Sequence, residues 1–364
     1  MNKTASWDIR PCTEKDISGI FSLAKFVFSR VTNSVPLTFS VDHLRWLFLD
    51  NPNGTFKGYV AHRGEKMLGF YGVIPTQLDV FGNKTVGSLS LLTVTHPDYW
   101  RQGILNTLAS ALYTQLEENG VVITYGFPNE NSLPALVNKL HWKHISTINL
   151  FARPLKASRI AHNYFSNAVL TSVVEQFGLL IYSSPVLPSA AFSIRPCLYF
   201  DARVNVLRAA SRSDETIQIA HDQDFLNWRY ASSPEWKYHI FVAEENNRML
   251  GYIVMRFVEF YGLRGGMIMD IAALPERGDV LRGLLQYALV YADKKDQDLV
   301  AGMAYGNPAL KWALLRAGFL AIPQAIAPKK WYFGGRLHKE SDQNASGLLN
   351  ARNWVLTFGD NDVM

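Results

Sequence analysis

The chain has 364 residues, a formal net charge of +5, 48% hydrophobic residues and 18% charged ones. That balance belongs to an ordinary folded protein long enough for two cores, and it excludes a disordered or collagen-like chain. The positive excess is thinly spread, with no run of Lys and Arg interleaved with aromatics; this excludes a nucleic-acid stripe and favours acidic small ligands.

The opening residues, Met1 to Asp8, lack the apolar run of a signal peptide. Ile9-Arg10-Pro11 reads as a strand and Asp16 to Phe21 as the start of a helix. An apolar β-like run, Leu89 to Val94, ends in His96-Pro97-Asp98. A short turn follows, Trp100-Arg101-Gln102-Gly103, and a helix opens at once with Ile104, Leu105, Leu108, Leu112 and Leu116 on one face. Strand, tight turn and helix N-terminus together make a phosphate site. The first helical amides have no intrahelical partners, and the helix dipole directs its positive end at the turn. Gly103 has no Cβ, so a pyrophosphate can approach the backbone, and Arg101 adds a fixed charge.

Val121 to Tyr125 is rich in β-branched residues and reads as a buried strand. Gly126 to Ser132 is a turn-rich loop, and Leu133 to Leu140 a short helix ahead of His141-Trp142. Ala168 to Ile194 carries one charge, Glu175, but Gln176, Gly178 and two prolines interrupt it. A membrane span needs about 20 uninterrupted apolar residues, so this stretch reads as a connector with a helix from about residue 158 to 182. Cys12 and Cys197 show neither metal spacing nor a disulfide framework, and neither has a neighbouring His; a reducing cytoplasm is the expected setting.

The chain repeats itself. Trp46 and Pro52 recur as Trp228 and Pro234, and Met67-Leu68-Gly69-Phe70 recurs as Met249-Leu250-Gly251-Tyr252, all displaced by 182 residues. With slight drift, Pro97 matches Pro275, Tyr125-Gly126 matches Tyr305-Gly306, and Lys139 to Trp142 matches Arg316 to Phe319. So long a period means duplicated domains. The copies differ at the turn: the second reads Leu274-Pro275-Glu276-Arg277-Gly278-Asp279, placing Glu276 and Asp279 where phosphate would sit. Trp46 and Trp228, kept in both copies, read as core.

The segment from Thr93 to Leu108 resembles the acetyl-coenzyme A loop of the GNAT superfamily of N-acetyltransferases. The order strand, turn, long helix, strand, loop, short helix, aromatic is similar to the cofactor half of that domain. The resemblance implies an α/β fold of two tandem GNAT-like domains around mixed sheets. On that reading residues 1–155 form the cofactor-binding domain, 156–198 a connector, 199–337 a degenerate second domain, and 338–364 an exposed loop and C-terminal strand.

It further implies that acetyl-CoA is the cosubstrate and that two parted strands admit its pantetheine arm. Thr93, Val94 and Thr95 would line that arm, Trp100, Arg101, Gln102, Gly103, Ile104, Leu105 and Asn106 would hold the diphosphate, and Asn131 would orient the arm. A neutral amine attacks directly in a ternary complex, without a covalent enzyme intermediate. The superfamily's strand Glu and short-helix Tyr are absent: Gly87 to Thr95 has no carboxylate, and Val137 and Leu314 stand where the Tyr would be. Glu130, His96, Tyr125 and Tyr71 are the remaining proton-transfer candidates, with a water relay through Glu130 or His96 as the expectation.

The phrases Thr95-His96-Pro97-Asp98-Tyr99 and Tyr125 to Ser132 look like those of two-domain acetyltransferases associated with bacterial surface polysaccharide, which implies an amino-sugar acceptor. The partners expected are a small amine and a second copy in a homodimer, with neither nucleic acid nor a membrane. A Fem-type aminoacyl transferase and a non-catalytic CoA-binding scaffold are the alternatives.

Overall fold

The structure, a computed structural model, describes residues 7–30, 39–164, 191–324, 327, 329–338 and 345–361. The first half lays down strands β1 (Asp8–Pro11), β2 (Lys57–Arg63), β3 (Lys66–Val80), β4 (Asn83–Thr95), β5 (Ile123–Gly126) and β6 (Lys143–Ile148). β3 is buried over nearly its whole length, so its sequence reads as almost continuous apolar residues rather than as an alternation. Successive side chains still go to opposite faces. Phe70 and Ile74 join the core that takes in helices Ile17–Phe28 and Val41–Leu49, whereas Leu68, Tyr71 and Val73 meet the long helix Ile104–Glu118 on the other side.

The second half repeats the plan. After β7 (Leu150–Pro154) come β8 (Ser193–Cys197), β9 (Ile217–Ile219), β10 (Tyr238–Glu245), β11 (Arg248–Phe260), β12 (Leu263–Ala273), β13 (Leu299–Met303), β14 (Leu320–Ala321), β15 (Trp331–Leu337) and β16 (Trp354–Val355). The strand orders are β1-β2-β3-β4-β5-β15-β6 and β8-β10-β11-β12-β13-β7-β14. Each half therefore lends a late strand to the other. β15 lies antiparallel between β5 and β6, and β7 antiparallel between β13 and β14. β9 also crosses over, pairing Ile217 to Ile219 with the end of β3.

This exchange cuts across the linear boundaries. Leu150–Pro154, placed by sequence in the first domain, belongs to the second sheet, and Trp331–Leu337 belongs to the first. Local patterning marks both as strands but says nothing about which edge they join. The connector ends in β8, the outer strand of the second sheet. Its expected helix is seen over Ala157–Tyr164, tied to the second half by Lys156–Asp293 at 2.6 Å and Arg159–Asp298 at 2.8 Å. The remainder of that helix and most of the apolar stretch lie outside the described residues. Among the described residues no helix is long and apolar enough to cross a membrane.

At the other end of the chain, His338 is buried against Thr124 at 2.7 Å, so the exposed loop does not begin there. The expected terminal strand is a strand only at Trp354–Val355; Phe358–Asp360 forms a 3-10 turn. One continuous core joins the halves. At its centre Trp46 and Trp228 stack on each other, ring centroids 5.0 Å apart.

Candidate functional site

β4 and β5 run parallel for only two rungs, Ser88–Thr124 and Leu89–Tyr125. Past Leu89 they part. β4 stays paired with β3 as far as Thr95, while β5 turns its far edge to β15. The β3–β4 register slips between Phe70 and Gly72, so that Leu92 and Thr93 stand across from Tyr71 alone. This is a β-bulge, with Leu92 at φ 37°. The β4 edge from Ser90 to Thr95 thus faces a fork with no strand partner among the described residues, an edge on which an extended chain can be added. Thr93, Val94 and Thr95 all lie on it.

The turn at the mouth of the fork is braced by its own residues. The His96 amide donates to Leu68 O at 2.8 Å, Trp100 Nε1 to Thr95 O at 2.8 Å, and Gln102 Nε2 to Asp98 O at 3.3 Å. Trp100 and Gln102 thus hold the turn's shape with the side chains that sequence reasoning assigned to the cofactor. Arg101 (φ 62°) and Gly103 (φ 81°) are left-handed, and Gly103 caps the helix Ile104–Glu118. A Cβ on Gly103 would meet nothing within 4 Å, so there is open space beside the start of the helix that carries Ile104, Leu105 and Asn106. The repeated glycine of β3 has a different task. A Cβ on Gly69 would lie 2.7 Å from Ile104 Cγ2, so its absence lets the helix start sit down on the sheet.

The second half has the same fork, differently filled. β12 and β13 pair over Gly265–Met267 and Leu299–Ala301, then part, and β12 carries the matching bulge against β11. Here the chain's own C-terminal segment enters. Leu356 N donates to Tyr305 O at 3.1 Å, and Gly359 packs tightly against Tyr230, where a Cβ would stand 3.1 Å from its Cζ, and in contact range of Met269 O on β12 at 3.4 Å. The segment is held by Arg229, whose Nε donates to Gly359 O at 3.0 Å and Nη2 to Asn361 O at 2.8 Å. His221 holds it too, wedged between Asp270 (2.9 Å) and Asp360 (2.6 Å). At the following helix start Arg277 pairs with Asp279 at 2.8 Å and with Glu245 at 3.4 Å. Its guanidinium holds the Asp279 carboxyl below the usual range.

The proton-transfer candidates scatter. His96 is built into the turn: its Nδ1 accepts from the Asp98 amide at 3.3 Å and its ring stacks on Phe26 at 4.9 Å, while burial lowers its pKa. Glu130 is exposed, beside Lys330 at 3.6 Å and Tyr332 OH at 3.4 Å. Asn131 is exposed and its amide donates to Asn129 Oδ1 at 3.0 Å. Tyr71 belongs to a buried chain on the long-helix side of the sheet: Ser90 Oγ donates to Tyr71 OH at 3.2 Å, the hydroxyls of Tyr71 and Tyr113 are 2.8 Å apart, and Trp142 Nε1 donates to Tyr113 OH at 2.8 Å. Of the four, Tyr125 lies at the last rung of the fork.

Beneath that rung, on the face away from the long helix, both halves enclose a small chamber. Leu89 and Tyr125 border it, with His43, Thr76, Trp228 and Trp236 among the other walls. Sequence reasoning passed over His43 and Thr76, one on an amphipathic helix and one inside a strand, with no motif around either.

Residues 8–145 match the family described as Acetyltransferase (GNAT) domain. The first half of the chain thus carries a GNAT acetyltransferase domain, and the second half repeats its strand plan. Solved structures with a similar fold include three that span most of the chain. A GCN5-related N-acetyltransferase from Anabaena variabilis has a TM-score of 0.61 at 11% identity, covering 92% of this chain and 73% of that one. A probable N-acyltransferase from Enterococcus faecalis has a TM-score of 0.62 at 10% identity, with the same 92% and 73% coverage. N-myristoyltransferase from Saccharomyces cerevisiae, with bound myristoyl-CoA, has a TM-score of 0.60 at 12% identity, covering 92% and 83%. No curated protein matched the sequence.

Proposed function

We propose that the protein is an N-acetyltransferase that moves the acetyl group of acetyl-CoA to a primary amine of a small molecule, an amino sugar being one such acceptor. The observation that carries this reading is the contrast between the forks. In the first, the β4 edge lacks a strand partner and leads to an open, left-handed glycine ahead of a helix N-terminus. In the second, the same space holds Leu356 to Gly359, and an Arg–Asp pair closes the helix start. Pantetheine would lie along Ser90 to Thr95 as an added strand, with the diphosphate on the amides after Gly103. A β4 amide at the bulge would polarise the thioester carbonyl as the amine attacks.

Calorimetry with acetyl-CoA tests the reading: one molecule bound per chain, with free thiol released on adding a panel of primary amines. Two molecules bound, or none, would refute the contrast; binding without thiol release from any amine would favour a CoA-binding scaffold.

A further inference from the structure

The chamber under the first fork contains two buried polar atoms with nothing to bond. His43 and Thr76 both line it, 2% and 3% exposed, and neither His43 Nδ1 nor Thr76 Oγ1 has a hydrogen-bond partner among the described residues. Leaving a buried polar group unpaired costs about 1–3 kcal/mol. Two such atoms on one cavity mark a place that receives a polar guest. The remaining walls are mainly apolar or aromatic, including Leu47, Ile74 and Trp228, and the space admits about one water molecule. A long alkyl chain fits neither the volume nor the polar atoms.

Its position gives the guest a role. The Leu89–Tyr125 rung where the fork closes is also a wall of the chamber. An arm laid along β4 from the Gly103 turn, past Thr95, brings its thioester to the bulge at Leu92–Thr93, a few residues short of that rung. A guest in the chamber meets it from the opposite face.

We propose that this chamber receives the free amino group of the acceptor, with Thr76 Oγ1 and His43 Nδ1 accepting its N–H bonds and His43 taking the proton as the amide forms. The proposal rests on the transferase reading. The amine nitrogen bonds to the thioester carbonyl carbon, the C–S bond breaks, and its electron pair leaves on sulfur. One N–H proton passes to His43 Nδ1. The imidazolium then loses that proton to solvent, the thiolate gains one, and His43 is neutral again. Burial first, then Arg229 and Arg256 of the second half, with Glu235 opposing, hold His43 down at about 4. Its lone pair is therefore free at neutral pH. The site is composite: His43 and Thr76 come from the first half, Arg229, Trp228 and Trp236 from the second.

A crystal structure of the protein without ligand is the first test. An ordered water within about 3.2 Å of both His43 Nδ1 and Thr76 Oγ1 is expected; a dry chamber overturns the proposal. Kinetics with acetyl-CoA and methylamine, the smallest primary amine, form the second. His43→Ala should lower kcat about 100-fold with acetyl-CoA affinity unchanged, and added imidazole should restore at least a tenth of the loss. Thr76→Val should raise KM for methylamine several-fold with kcat less affected. His43→Gln, which keeps the volume, serves if alanine collapses the chamber. Wild-type turnover in these variants, or no rescue by imidazole, overturns the role given to His43. If acetyl-CoA binds but no amine yields thiol, the transferase reading falls, and the crystal water still decides whether the chamber takes a polar guest.

Discussion

Gly103 stands at φ 81° with open space where a Cβ would go, so two substitutions there separate backbone strain from charge. Gly103→Ala adds only a left-handed penalty of about 1 kcal/mol and should weaken acetyl-CoA binding a few-fold. Gly103→Glu places a carboxylate against the diphosphate and should weaken it at least about 100-fold, close to 2.7 kcal/mol. The matching control is Gly278, which also has open space around it, at the start of the second long helix. Gly278→Glu should leave affinity unchanged by calorimetry. Gly283 is unsuitable, because a Cβ there would lie 2.7 Å from the Phe192 ring.

His221 allows a second prediction at this scale. Burial alone would depress the imidazolium, but Asp270 and Asp360 flank it and hold it up at about 9. In the unfolded chain it titrates near 6.5, so its contribution to stability is complete below that pH. It is lost as pH rises toward 9, on the order of 3 kcal/mol in all. Thermal melts should show stability falling between pH 6.5 and 9, and His221→Asn should remove that slope. A slope unchanged in the variant would place the titration elsewhere.

Among the elements, helix Val41–Leu49 and the turn around Trp228 meet as pseudo-equivalents. The Trp46–Trp228 stack is their contact, with Trp228 Nε1 donating to Trp46 O at 3.4 Å. Trp228→Ala should cost about 3–5 kcal/mol in urea unfolding, and a double-mutant cycle with Trp46→Ala should show a coupling of about 0.5–1.5 kcal/mol. Additive losses would mean that each ring is held by its own half alone. The two Trp residues were readable as core because they repeat at one spacing. The fork was readable for a similar reason: an apolar run, a polar turn with Gly103, and a helix stripe obey local rules that survive folding. Other parts were illegible. Nothing in Leu150–Pro154 or Trp331–Leu337 says that each pairs in the other half's sheet, because a strand's pattern fixes its faces and not its neighbour. Glu130 and His96 were selected as titratable groups near the expected site, one on the loop over the cleft and the other for its intrinsic pKa; the fold puts the first at the surface and uses the second as a brace. His43 and Thr76 acquire meaning only when the second half closes over them.

For the whole molecule, reciprocal exchange of β7 and β15 makes each sheet depend on residues from both halves. A single cooperative transition is therefore expected, with calorimetric and van't Hoff enthalpies in agreement. Residues 1–155 expressed alone should not reach the native fold, because β5 and β6 lose the strand between them. Two resolved transitions, or a stable fragment that binds acetyl-CoA, would show that the exchange is dispensable.

The same swap constrains how the chain is born. As the ribosome releases residues in order, β5 and β6 emerge long before β15, the strand that must slide in between them. The first half cannot finish itself while synthesis is under way, and must wait with an unfilled slot that invites wrong strands. A premature stop ahead of Trp331 would thus yield not half an enzyme but none, and cells making this protein fast should lean on chaperones to guard the gap.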